Sequence, residues 1–200
     1  MTTTTIELLR HGEPEGGDCM RGSIDVALTP LGWEQMNQAI PTSDQYVKII
    51  SSTLCRCADF ATTLSQKTGK PLSLSEQWRE IDFGDWDGVP YATLWQQYPT
   101  EISQYWQNPW HHTPPQGESL INFDRRIAQA WQQLLHDYSG KHVLIISHGG
   151  VIRQLIHQIL NMSQDNSHLS RIDIPYAAKI KISVFVDQDN KQWPRIHFSV

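Results

Sequence analysis

Lysine and arginine are missing from one whole stretch of this chain: none occurs between residues 81 and 124. Positive charge is thin elsewhere too, with 16 Lys and Arg against 21 Asp and Glu and a formal net charge of -5. A nucleic-acid binder normally carries a basic face, so that class is set aside. Long apolar runs are also absent. Those present are strand-length, too short to cross a bilayer, and no membrane association is expected. The opening Met1-Thr2-Thr3-Thr4-Thr5 lacks a basic segment followed by an apolar core, so the expectation is no signal peptide and a cytoplasmic location. Cysteine is scarce and odd in number: Cys19, Cys55 and Cys57 have no zinc-type spacing and read as reduced, packed thiols.

What is present is enough for a sizeable core: 200 residues, 39% of them hydrophobic, suit one domain with a small addition. Apolar runs predict strands near 6–10, 47–51, 143–147, 179–186 and 193–198. Helical patterns fall near 31–40, 55–68, 119–138 and 150–161. Strands alternating with helices predict an α/β fold with a mostly parallel sheet. The last two strands flank Asp187-Gln188-Asp189-Asn190 and read as an antiparallel hairpin at the sheet edge. The whole of 1–200 reads as a single domain, with a cap insertion at about 86–118. That insertion is rich in Trp and Tyr and broken by Pro90, Pro99, Pro109, Pro114 and Pro115. Its aromatic residues read first as cap core. His111-His112 reads as a solvated loop.

Two segments repeat one design. Ile6 to Gly12 and Val143 to Gly150 are each a short apolar strand ending in His-Gly, and the first carries Arg10 before its histidine. Loops leaving the carboxyl ends of parallel strands converge on one crevice, so His11 and His148 are expected to meet there. Arg56 follows the second strand at a predicted helix start, a place that suits an anion. Glu80 precedes the cap.

An imidazole pair among guanidinium groups suits phosphoryl transfer. His11 would attack phosphorus with one ring nitrogen while a carbonyl fixes the proton on the other. Arg10 and Arg56 would hold the equatorial oxygens. His148, if protonated, would donate to the same oxygens. Glu80, its pKa raised by desolvation, would protonate the leaving oxygen and then deprotonate the attacking water. The arginines supply the positive charge, so no metal and no cofactor are called for. A cysteine nucleophile is excluded, because the positions six after the three cysteines hold Asp25, Ala61 and Thr63 instead of arginine.

These residues resemble the histidine phosphatase superfamily, the phosphoglycerate-mutase-like branch. The matching segments are Arg10-His11-Gly12-Glu13, Ser51-Ser52 with Leu54 and Arg56, Glu80 to Gly88, Gly117-Glu118-Ser119, and Ser147-His148-Gly149-Gly150. They stand in the family's order and cover about residues 6–160. The resemblance implies a three-layer α/β/α sandwich and a phosphohistidine on His11. Arg21 to Gly32 and the short cap are most similar to the α-ribazole phosphatases, which implies α-ribazole 5′-phosphate as substrate, in cobalamin nucleotide-loop assembly. It also implies substrate contacts from Arg10, Gly22, Ser23, Arg56, His148 and Gly149. Two positions depart from the family: Pro14 and Gly17 stand where many members have Thr and a phosphate-binding Asn.

The expected partner is a small-molecule phosphate ester, and a homodimer is compatible with these features. The alternatives are a phosphoglycerate mutase and a broad-specificity or protein histidine phosphatase. A mutase must hold a second anionic group, and the cation-free stretch 81–124 argues against it. A neutral aromatic cap suits a monophosphate with a flat apolar body.

Overall fold

The computed structural model describes residues 1–40 and 46–197. Six strands form one sheet in the order β3-β2-β4-β1-β5-β6. They are β1 (Thr2–Arg10), β2 (Lys48–Ser51), β3 (Leu72–Leu74), β4 (His142–Ser147), β5 (Lys179–Val186) and β6 (Gln192–His197). The first four pair in parallel, and β5 joins β1 antiparallel with β6 outside it. The antiparallel edge is as expected, and Phe198 of the expected last strand lies outside the described residues. β1 begins earlier than its apolar run suggests, because Thr2 to Thr5 pair with Val186 to Ser183. β3 was not expected. It is three residues long, borders only β2, and its side chains are mostly exposed.

Helices cover both faces. On one side, Ile6, Leu8, Val143 and Ile145 pack against α5 (Leu120–Asp137) and α6 (Gly149–Ile159). On the other, Leu9, Leu144 and Ile146 pack against α1 (Pro30–Ala39) and α2 (Cys55–Thr68). Successive strand residues point to opposite faces and both are covered, which is why β4 reads as an unbroken apolar run and β1 as one interrupted by Glu7. The result is the expected α/β/α sandwich. Thr29 caps α1 by accepting from Gly32 N, with Pro30 at the first helical position. Ser119 caps α5 in the same manner.

The segment between β3 and α5 carries α3 (Tyr91–Gln97) and α4 (Pro99–Gln107). Pro90 and Pro99 start these helices and do not break them. Trp86, Leu94, Ile102 and Tyr105 form a separate small core with Met20. The last helix, α7 (Ser167–Arg171), packs on α6.

Candidate active site

Strand register brings the two histidines together. Arg10 pairs with Ser147 across β1 and β4, so both strands end at the same level. The His11 and His148 rings meet edge to face, with centroids 5.2 Å apart at 61°. Both are buried. His11 Nδ1 lies 2.7 Å from Gly12 O, which fixes the proton there and leaves Nε2 as a free base. Burial, then the charges of Arg56 and Arg10, hold the imidazole well below its ordinary pKa, so the ring is neutral. The loop after His11 is pressed against α1. A Cβ on Gly12 would stand 2.0 Å from Gly32 O, and one on Gly32 would stand 2.1 Å from Glu13 O.

Burial, then Arg56, keep His148 well below the ordinary range too, which favours the neutral ring over the protonated one on which its donor role was conditional. Arg56 Nε donates to its Nδ1 at 3.3 Å, which leaves the ring proton on Nε2, 2.8 Å from Ser52 Oγ.

Arg56 is fully buried at the start of α2. Its terminal nitrogens donate to Ile24 O at 2.7 Å and Gly22 O at 2.6 Å. One hydrogen on each terminal nitrogen remains for an anion. Gly22 and Ser23, expected as substrate contacts, have their amide N–H groups engaged elsewhere. Both donate to the carboxylate of Asp87, and Ser23 Oγ also reaches Asp82 and Asp87. Gly22 instead presents its carbonyl to Arg56, and Ser23 O accepts from Arg79.

Glu80 sits in the turn before the inserted segment. Ile81 N donates to Oε1 at 3.1 Å and Gly150 N donates to Oε2 at 2.9 Å. A Cβ on Gly150 would lie 2.2 Å from Glu80 Oε1, so the second glycine of the Gly149-Gly150 pair makes room for this carboxylate. Glu118 does not contact this centre. It pairs with Arg126, which also donates to Gln77 O and Arg79 O and so pins the chain leading to Glu80. Cys57 is packed under His148, and burial pushes its thiol up, as suits a structural cysteine.

A cavity of about 300 Å³ opens beside Arg10, Glu80, Gly149 and Gly150. Phe83, Tyr91, Tyr105, Trp106, Phe123 and Tyr176 give it aromatic walls, so the inserted segment supplies both its own core and the lining. Arg10 lies under the Tyr176 ring, 4.1 Å from its centroid, and donates to Ile174 O. Arg21 and Arg153 also line this cavity, and sequence reasoning missed both. The cation-free stretch 81–124 therefore does not make the cavity cation-free. Arg153 was legible in principle: on α6 it falls three and four residues after Gly150 and Gly149, the same helix face. His111 stays exposed, bonded to Asn108.

Residues 6–193 match the model of the histidine phosphatase superfamily (branch 1), and the chain belongs to that family. Its members are phosphatases or mutases. The chain is 29% identical over 177 residues to a glucosyl-3-phosphoglycerate phosphatase of Mycolicibacterium vanbaalenii, covering 83% of this chain and 78% of that one. It is 28% identical over 189 residues to a bifunctional protein of Mycobacterium tuberculosis, covering 92% of this chain but only 51% of that one. The chain thus spans about half the length of that relative. The solved α-ribazole phosphatase of Shigella flexneri superposes with a TM-score of 0.80 at 22% identity, over 96% of this chain and 95% of that one, a likeness of fold. No helix among the described residues is long and apolar enough to cross a membrane.

Proposed function

We propose that this chain is a metal-independent phosphomonoesterase that works through a phosphohistidine on His11. The observation that carries the reading is the neutral, buried His11 with Nδ1 held by Gly12 O and Arg10 beside it. His11 Nε2 attacks phosphorus, and the bond to the ester oxygen breaks. Glu80 gives that oxygen its proton. Water then attacks the phosphohistidine, Glu80 takes a proton from it, and inorganic phosphate leaves. Arg10 and Arg56 offset the charge of the transferred group. Neutral His148 holds the Arg56 guanidinium and packs against the nucleophile.

The preferred substrate is α-ribazole 5′-phosphate, whose flat base suits the aromatic walls. A second reading, an ester whose alcohol part carries a carboxylate, is favoured by Arg153 in the same cavity. Glucosyl-3-phosphoglycerate is such an ester.

Phosphate release from both esters, and from an aryl phosphate, with EDTA present tests the proposal. Fast release from the ribazole ester supports the first reading, and faster release from the carboxylate ester supports the second. No release without added metal overturns the mechanism.

A further inference from the structure

Arg10 and Arg21 share an unusual feature. Each has a buried Nε–H with no hydrogen-bond partner among the described residues, and both side chains line the same cavity. Leaving such a donor unmet is costly, and a guanidinium is the strongest side-chain match to a phosphoryl group. We propose that Arg21 is a third phosphate-binding arginine of this site, acting with Arg10 and Arg56 on the non-bridging oxygens. This rests on the phosphatase reading and adds a residue to it.

The anchoring of Arg21 fits that role. Its Nη2 donates to Glu15 O at 3.0 Å and to Gly17 O at 2.6 Å. Both carbonyls belong to the loop that follows His11, so the guanidinium is tied to the nucleophile's own loop. The next two residues are held by Asp87, which limits backbone drift at Arg21. The charge of Arg21 also acts on His11 and on Arg56, which puts it within electrostatic reach of the reacting centre. Two tethers leave the Nε–H and the Nη1 hydrogens for the ligand, and a planar donor fixed in this way loses little freedom on binding.

The test uses the full chain, Arg21→Gln and Arg21→Lys. Affinity for inorganic phosphate is read by calorimetry, and kcat and KM are read on an aryl phosphate. Arg21→Gln is expected to weaken phosphate binding about 10- to 100-fold, with Arg21→Lys between it and the wild type. If Arg21→Gln fails to fold, Arg21→Lys alone must still show weaker phosphate binding. Unchanged phosphate affinity in a folded variant overturns the inference, even if KM for the ester rises, because Arg21 would then touch only the alcohol part. Calorimetry separates the two claims. A wild type that binds phosphate but hydrolyses nothing removes the phosphatase reading and leaves the Arg21 comparison valid. A wild type that turns over beside an unaffected Arg21→Gln removes only Arg21.

Discussion

The Nε–H of Arg56 points at Nδ1 of His148 across 3.3 Å, so the guanidinium dictates the tautomer of the histidine. A neutral ring that accepts on Nδ1 must carry its proton on Nε2, on the side of Ser52. Lysine cannot reproduce this geometry, because it has neither the Nε–H nor the planar fork that reaches Gly22 O and Ile24 O. Arg56→Lys is expected to lower kcat/KM by about 100-fold or more despite the retained charge. Steady-state kinetics on an aryl phosphate decide this, and near-normal activity would show that charge alone suffices.

Gly150→Ala should damage chemistry more than stability. The new methyl carbon would stand 2.2 Å from Glu80 Oε1, and moving that carboxylate is the simplest relief. A displacement of about 1 Å can cost about 100-fold in rate. We expect kcat to fall by about that factor with a thermal midpoint close to wild type. The two measurements together check it, since a large loss of midpoint would point to a helix defect.

Asp87 accepts from the amides of Gly22, Ser23 and Ile24 at once. Gly22 and Ile24 carry the carbonyls that hold Arg56. Asp87→Ala should therefore cost about 1–3 kcal/mol of stability and also weaken phosphate binding, although Asp87 bears the wrong charge to bind phosphate itself. Urea unfolding and calorimetry with phosphate give the two numbers. Tighter phosphate binding in the variant would mean that simple charge removal dominates.

Because burial and the arginines hold His11 well below the usual imidazole range, the nucleophile stays unprotonated as pH falls through 6.5. On correction for the substrate's second ionisation, near 6, kcat/KM should be flat through 6.5 and fall only at lower pH. A pH profile of kcat/KM tests this, and an acid limb centred at 6.5 would contradict a depressed His11.

A second effect of pH lies away from the cavity. His168 packs at a tilt against His157, with centroids 4.5 Å apart, and donates to Gln154, and burial pushes it down from 6.5 to about 4. The unfolded chain takes this proton near 6.5, whereas the folded one waits until about 4. Falling pH therefore favours the unfolded state inside that window. His168 should cost up to about 3 kcal/mol of stability between those limits and nothing further outside them. Urea midpoints of wild type and His168→Gln across this range should converge as pH falls, and parallel curves would refute the assignment.

The central sheet was legible because β1 and β4 are buried on both faces, so β4 spells an unbroken apolar run and β1 one interrupted by Glu7. β3 was not, since three mostly exposed residues borrow their extended shape from β2. His11, Arg10, Arg56, Glu80 and His148 could be picked out because strand ends, a helix start and the family's motifs mark them. The neutrality of His148 could not, because it depends on burial and on a charge 92 residues away in sequence. Arg21 and Arg153 were hidden for a similar reason. The stretch without cations suggested a neutral cavity, and both arginines enter it from outside that stretch.

The contact between Gly12 and Gly32 has no adjustable part. Two backbones touch where a side chain on Gly12 would collide with Gly32 and one on Gly32 would collide with Glu13. Neutral drift has no small step to offer there: a methyl group on one side must be matched by a shift of α1 on the other. The His11 loop is thereby frozen against gradual change. Room for a lineage to acquire a new substrate lies instead with the cavity's other side chains, Arg153 and the aromatic walls, which can be exchanged one at a time without unseating the nucleophile.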